Sequence, residues 1–188
     1  TAGYKDAAGS TAQFSRPFGV DNTRDGKTLY VADSRNHVIR AIDLTTNTVT
    51  TLAGSGSSGY LDSTGTLAYF NTPEYVEIVG DKLYVSEAGS QRLRQIELST
   101  RLTKTVAGNG VETFKNGNGV NASFNNPKGL VAHGTTLYIA DMFNDLIRNP
   151  SANLITSLVS SKGFGRNPSN KAISSALKSF SIVADIKT

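Results

Sequence analysis

Leu29-Tyr30-Val31-Ala32-Asp33 decides the fold, because close copies of this stretch return twice at a fixed spacing. Leu83-Tyr84-Val85-Ser86-Glu87 lies 54 positions further along, and Leu137-Tyr138-Ile139-Ala140-Asp141 lies another 54 positions beyond it. Each copy is a short apolar run, rich in aromatic and β-branched residues, that ends on a carboxylate. Such a run is typical of a buried β-strand entering a turn. A strand that recurs at a constant period predicts an architecture of repeated units.

The sequence around each copy repeats as well. Each unit opens on a glycine-rich loop, continues through a spaced Ala, Phe and Pro, and then carries four strand-like segments separated by turn residues. Four strands per unit, with no sustained helical period, favour the blade of a β-propeller over a solenoid. We therefore predict a single all-β domain of three complete blades, at approximately 2–54, 55–108 and 109–160, with a degenerate partial repeat at 161–188.

The third unit departs from the pattern near its end. Pro150 stands where the first two units have Ile42 and Ile96. Because proline cannot donate a ladder hydrogen bond, we expect the third strand of this blade to end early or to lie at an edge. Residues 181–184 are the candidate first strand of a fourth blade.

The composition limits the class of protein. The chain has 188 residues, 38% of them hydrophobic, and no apolar run approaches the roughly 18 residues that a membrane span needs. It has no cysteine, which excludes disulfides and thiolate metal sites. The net charge of +4 is mild and alone favours solubility more than binding to nucleic acid.

The spaced motifs resemble the NHL repeat family of β-propellers. In the first unit the matching stretches are Phe14-Ser15-Arg16-Pro17-Phe18-Gly19, Leu29 to Asp33, Asn36-His37-Val38-Ile39-Arg40 and Val49-Thr50-Thr51-Leu52-Ala53-Gly54. The resemblance covers about residues 2 to 160 and implies a propeller with more blades than this chain supplies. Three explanations follow from it: a piece of a longer propeller, two chains that pair into one ring, or a small closed propeller. We favour association or a piece over the third.

Two sets of charged residues recur at equivalent positions, the acids Asp33, Glu87 and Asp141 and the arginines Arg40, Arg94 and Arg148. One interpretation is a ring of charges around a central channel that binds a ligand. The other is an ion pair or turn contact that positions each blade, for which arginine is well suited. Because a residue present in every repeat serves the repeat, we predict that these charges maintain the blades.

Other constellations give weaker signals. The Asp- and Asn-rich loops offer oxygen ligands but lack the spacing of a calcium loop, and such residues are ordinary turn formers. His37 and His133 stand at non-equivalent positions, and they do not match the histidine-bound metal of a lyase related to the family. We therefore predict no catalytic, cofactor or metal residues and no cofactor. The glycosylation pattern Asn121-Ala122-Ser123 favours a secreted or extracellular location only slightly, and the compartment stays open.

Basic residues are scattered among acidic ones, and the recurring tyrosines are core positions and not stacking platforms, which disfavours a nucleic-acid partner. We expect a non-catalytic scaffold that binds a protein partner or copies of itself through loop faces and blade edges. Two alternatives stay open: a lactonase- or lyase-type enzyme with a metal in the central channel, and an RNA-binding domain. The candidate interaction residues are Arg24, Arg35, Asn36, Gln91, Met142 and Phe143.

Overall fold

A computed structural model describes residues 2–150 and 154–160 of the chain. Within those residues, fourteen strands form three antiparallel sheets, and the helices are short 3-10 turns. The strands are β1 Ala7–Ala8, β2 Pro17–Asn22, β3 Thr28–Asp33, β4 Val38–Asp43, β5 Thr48–Ala53, β6 Pro73–Val79, β7 Lys82–Glu87, β8 Arg92–Glu97, β9 Thr103–Ala107, β10 Gly117–Asn118, β11 Pro127–His133, β12 Thr136–Asp141, β13 Leu146–Asn149 and β14 Leu154–Ser160.

Each predicted blade is one sheet, and the all-β prediction is confirmed. Blade 1 has the order β1-β5-β4-β3-β2, blade 2 the order β6-β7-β8-β9, and blade 3 the order β10-β14-β13-β12-β11. Neighbouring blades meet along their first strands, because β2 lies against β6 and β6 against β11. Residues 181–184, the candidate strand of a fourth blade, lie outside the described residues.

The glycine-rich loop that opens a repeat pairs with the last strand of its own blade, a contact that the prediction of four strands per blade did not include. β1 pairs with β5, and β10 pairs with β14, so each adds a short fifth strand to the outer edge of its own sheet. In blade 2 the same place is taken by a single bridge between Thr64 and Leu102. The first residues of each repeat are thereby hydrogen-bonded to its last strand.

The hydrophobic core lies between the blades. One buried cluster joins Ile39 and Leu52 of blade 1 to Phe70, Val76 and Leu83 of blade 2. A second cluster joins blade 2 to blade 3 and contains Leu93, Ala107, Phe124, Leu137 and Ile139. Because apolar burial is the main favourable term in folding, each blade depends on its neighbour for stability.

The end of the third repeat follows the prediction. β13 stops at Asn149, directly before Pro150, and has four residues where β4 and β8 have six. None of the short helices in the described part of the chain has the length and apolar character that crossing a membrane would require.

Gly54 and Gly108 end the first two blades in a backbone conformation that favours glycine, with φ of +109° and +92°. A Cβ on Gly54 would lie 2.6 Å from the carbonyl oxygen of His37 and 2.8 Å from the Cα of Val38. At the end of blade 1 the backbone of Gly54 therefore packs directly against the backbone of His37 and Val38, and any side chain at Gly54 would block this contact.

We predict that Gly54→Ala lowers the free energy of unfolding by about 2–4 kcal/mol, through backbone strain and the clash with the β4 backbone. Gly26→Ala is the matched control: Gly26 has φ of +67° and an added Cβ would meet nothing within 4 Å. The control should lose only about 1 kcal/mol, the cost of the left-handed conformation. Urea denaturation measures both values, and equal losses would contradict the steric argument.

Candidate functional site

The recurring arginine and acid lie together in every blade. Arg40 Nη1 donates to Asp33 Oδ2 at 2.9 Å, Arg94 Nη1 to Glu87 Oε2 at 3.0 Å, and Arg148 Nη1 to Asp141 Oδ2 at 2.5 Å. All six side chains are fully buried. A buried ion pair is stable only when further hydrogen bonds satisfy its remaining atoms. The surroundings of each pair supply such bonds to Nη1 and Nη2 of the arginine, whereas the buried Nε of Arg40, Arg94 and Arg148 has no partner among the described residues.

In blade 1 the guanidinium of Arg40 also binds the loop that precedes the blade. It donates to the carbonyl oxygens of Lys5 and Gln13, both at 2.9 Å, and to Asp6 Oδ1 at 2.6 Å. The rings of Tyr4 and Phe14 lie over the guanidinium, with centroids at 5.3 and 4.7 Å. We call this group the arginine junction. It consists of one arginine, the two side chains that accept its hydrogen bonds, two aromatic rings and two backbone carbonyl oxygens.

The junction recurs in the other two blades with small changes. Arg94 lies between Tyr60 and Phe70 and binds Asp62, and Arg148 lies between Phe114 and Phe124 and binds the amide oxygen of Asn116. Cation–π contacts of this kind contribute about 0.5–2 kcal/mol each. Full burial raises the pKa of Glu87, and Arg94, Ser90 and the Asn71 amide oppose that shift.

The second acid of the junction joins the loop to the outer strands. Asp6 Oδ2 accepts from the backbone N–H of Thr51, and Asp62 Oδ2 accepts from that of Thr105, both at 2.9 Å. These acids belong to the loops that the sequence marked as oxygen-rich, and here they are bound to arginine. Sequence reasoning missed this role, although Asp62 precedes Arg94 by the same spacing as Asn116 precedes Arg148.

A register shift brings each arginine to this position. The pairing slips between Ile39 and Arg40, and equivalent shifts directly precede Arg94 and Arg148. Because a bulge re-aims the side chain next to it, the shift accounts for a charged residue pointing inward after an apolar one.

In blades 1 and 2, one residue reaches across to the next blade. His37, in the left-handed conformation with φ of 55°, accepts at Nδ1 from the backbone N–H of Thr72 at 3.1 Å. Gln91, with the same φ, accepts at Oε1 from the N–H of Asn126 at 2.6 Å. Asp145 occupies the equivalent position in blade 3 with φ of 54°.

A second contact between blades comes from the first strands. Asp21 Oδ2 accepts from the N–H of Ile78, and Glu77 Oε1 accepts from the N–H of Ala132, both at 2.7 Å. Burial raises the pKa of Glu77, with a smaller opposing effect from the Ala132 amide. Side chain to backbone bonds of this type fix the register between blades as well as holding them together.

Most of the candidate interaction residues lie around one kind of turn. Arg35 and Asn36 belong to the 3-10 turn Ser34–Asn36, and Met142 and Phe143 belong to the equivalent turn Met142–Asn144. We call this side of the blades the turn face. Phe143 is 61% exposed and Met142 is about half exposed, so they form an apolar pair in solvent.

The remaining candidates lie elsewhere or are engaged within the fold. Arg24 is in the loop between β2 and β3, at the opposite end of that hairpin from Arg35. Asn36 donates to Asp33 and to the carbonyl of Gly3, both at 2.8 Å. Gln91 is buried, and its amide nitrogen binds Ala88 and Glu112. The exposed candidates are therefore Arg24, Arg35, Met142 and Phe143.

Among the described residues, no group of three or more His, Cys, Asp or Glu side chains is placed to hold a metal ion. The metal-enzyme and RNA-binding alternatives remain predictions.

No protein-family model matches the chain. It is 36% identical over 155 residues to the chloroplastic protein SUPPRESSOR OF QUENCHING 1 of Arabidopsis thaliana, which covers 78% of this chain and 15% of that protein. It is 34% identical over 107 residues to NHL repeat-containing protein 2 of Homo sapiens, covering 55% of this chain and again 15% of the relative. The chain thus spans a small part of the curated relatives that it matches.

Solved structures share the fold at low sequence identity. A putative phosphatase from Bacteroides thetaiotaomicron superposes with a TM-score of 0.61 at 22% identity, over 74% of this chain and 34% of that one. A chain of the nidogen/laminin complex gives 0.58 at 14% identity, over 79% and 49%. The three sheets and these matches define a set of β-propeller blades. With the motif in three copies and the relatives above, the chain belongs to the NHL-repeat family of β-propellers.

We predict that Arg94→Lys lowers the free energy of unfolding by about 3 kcal/mol, because an ammonium group cannot reproduce four fork-like bonds between two rings. Arg101→Lys, at an exposed arginine, is the control and should change stability by less than about 0.5 kcal/mol. Thermal and urea unfolding report both. Equal effects would show that the charge alone, and not the junction geometry, stabilises the blade.

The pH dependence of stability gives a separate test of the contact between blades 1 and 2. Burial lowers the pKa of His37 below 6.5. As pH falls through 6.5, the unfolded chain takes up a proton that folded His37 resists, so stability should decline below about pH 6.5. Protonation would also remove the acceptor for the Thr72 N–H.

His37→Gln copies the side chain that Gln91 supplies between blades 2 and 3. This variant should keep the wild-type stability at pH 8 to within about 1 kcal/mol and show a smaller decline between pH 7 and 5. Urea titrations at a series of pH values measure the difference between the two proteins. Parallel pH profiles would contradict the assignment.

Proposed function

We propose that the chain is a non-catalytic scaffold that associates with other proteins, foremost with copies of itself, through exposed blade faces. The observation that carries the proposal is a contrast between equivalent residues. Ile147 of blade 3 is 40% exposed, whereas Ile39 and Leu93, at the same place in blades 1 and 2, are buried against the following blade. The apolar residue at this place makes a blade contact in blades 1 and 2. Its exposed equivalent in blade 3 is suited to the same kind of contact.

The exposed face of blade 1 that carries Val20 supports the same proposal. Val20 is 57% exposed, and its equivalent Val76 is 3% exposed beneath blade 1. Pro17 is also exposed, whereas Pro73 and Pro127 are buried. An exposed sheet face of this kind favours association with another chain.

The bonding of the recurring acids and arginines supports a structural role for these charges, which in a propeller enzyme could instead bind a ligand. In all three blades these side chains are bound to one another and to the backbone. The turn face, with Met142 and Phe143 exposed, is a second surface suited to a protein partner, since aromatic residues and methionine are enriched at such interfaces.

We predict that the purified chain self-associates and that Ile147→Asp weakens the association at least tenfold, because a carboxylate would be buried in an apolar contact. Leu44→Asp is the control: Leu44 is similarly exposed but follows β4 in the turn to β5, away from the blade contacts. Light scattering on a size-exclusion column across a concentration series measures the mass. A wild-type chain that stays at the one-copy mass throughout would contradict self-association.

A further inference from the structure

We infer that the exposed faces of blades 1 and 3, the two open faces, bind a second copy of this chain. Blade 3 of each copy packs against blade 1 of the other. Asp145 contacts Arg16 at each of these blade junctions, a term used here for an interface between neighbouring blades. The inference rests on the proposed function, because it specifies the residues and the register of self-association. Its basis is the set of contacts that the two complete blade junctions share.

The outgoing side of a blade is the face that packs against the following blade. It presents one hydrogen-bond acceptor, on a residue with a left-handed backbone conformation. His37 and Gln91 each accept a backbone N–H from the following blade. Asp145 has the same backbone conformation and is exposed. Its carboxylate is an acceptor of the same kind, and it carries a negative charge that His37 and Gln91 do not.

The receiving side presents the N–H of a second left-handed residue, just before the proline that opens the first strand. Thr72 and Asn126 fill this role with φ of 53° and 58°. Arg16 occupies the same place in blade 1, with φ of 53°, and is exposed. The backbone of each open end therefore already has the conformation that the complete junctions use.

Charge complementarity selects this pairing. Where the two junctions inside the chain join a histidine to a threonine and a glutamine to an asparagine, the two open ends offer an aspartate and an arginine. A carboxylate facing both an N–H and a guanidinium makes charge-assisted hydrogen bonds, which are stronger than neutral ones. Opposite charges at matching positions also set the register of an interface.

The second contact changes in a compatible way. Asp21 and Glu77 each bind an N–H of the following blade, but the equivalent residue of blade 3 is Val131. The N–H that would face it, on Asn22 of blade 1, is already bound at 2.8 Å by Asp21 Oδ1. An apolar side chain at Val131 therefore leaves no donor unpaired at the closing junction.

The apolar surfaces are complementary as well. Ile147 and Val131 are exposed on the outgoing side of blade 3, and Val20 and Pro17 are exposed on the receiving side of blade 1. Their equivalents Val76 and Pro73 are buried at the junction of blades 1 and 2. Because the described part of each copy has one face of each kind, two copies can bury all four faces and close a ring with the three described blades of each.

The test is a charge reversal with rescue, measured by sedimentation equilibrium. We expect the wild-type chain to reach twice its 19.9 kDa mass. Asp145→Arg and Arg16→Asp should each raise the dimer dissociation constant about a hundredfold, because each disturbs both junctions of the ring. The double variant restores opposite charges and should recover most of the affinity. Arg101→Asp makes the same charge change as Arg16→Asp at an exposed turn of blade 2, away from the exposed faces of blades 1 and 3, and should leave the constant unchanged.

Each result separates this inference from the broader proposal. A wild-type dimer that is insensitive to both reversals, or single losses without rescue in variants whose circular dichroism shows a native fold, would overturn the Asp145–Arg16 pairing while leaving self-association standing. Assemblies larger than two copies would overturn the closed ring. A wild-type monomer at every concentration would overturn both proposals.

Discussion

A buried arginine paired with a buried acid is the constraint on which the rest of each blade depends. Arg40, Arg94 and Arg148 lie in the interior without access to solvent, and the acceptors that bind both terminal nitrogens of each guanidinium offset the cost of removing such a charge from water. Those acceptors come from the second strand, from the preceding loop and from backbone carbonyls. The arginine thus joins parts of the repeat that are distant in sequence, and loss of any acceptor would leave a charge unsatisfied.

The contacts between blades follow a different logic. One backbone geometry is kept at each junction between described blades, a left-handed residue facing a left-handed residue, while the side chain that makes the bond is His37 in one case and Gln91 in the other. Such variation is permitted because the requirement is for an acceptor of suitable reach and not for a particular chemical group. It also allows each junction to have its own charge and pH response on a common frame, which suits a fold in which recognition is placed on loops.

The sequence predicted the strands well because their signals are local. The Leu-Tyr-Val strands, the turn residues and the early end at Pro150 all depend on neighbouring residues and were read directly from periodicity. The partners of Arg40 could not be predicted in the same way. Asp6 and Tyr4 lie more than 30 positions away, and their role depends on a loop folding back onto its own blade. The candidate Gln91 likewise reads as a polar turn residue in sequence, whereas packing of the next blade buries it.

The return of the loop onto its own blade has a consequence for how such chains arise. Every member of the arginine junction of blade 2, and Thr105 to which it is bonded, lies between Gly54 and Gly108. A segment of DNA copied between those two glycines would therefore carry a complete arginine junction, and its product would need only the generic blade contacts to join a growing array. The glycines themselves mark where the chain passes from one blade to the next by backbone contact. The physical boundary of the repeat is thus also a boundary at which duplication and loss of blades leave every remaining arginine junction intact.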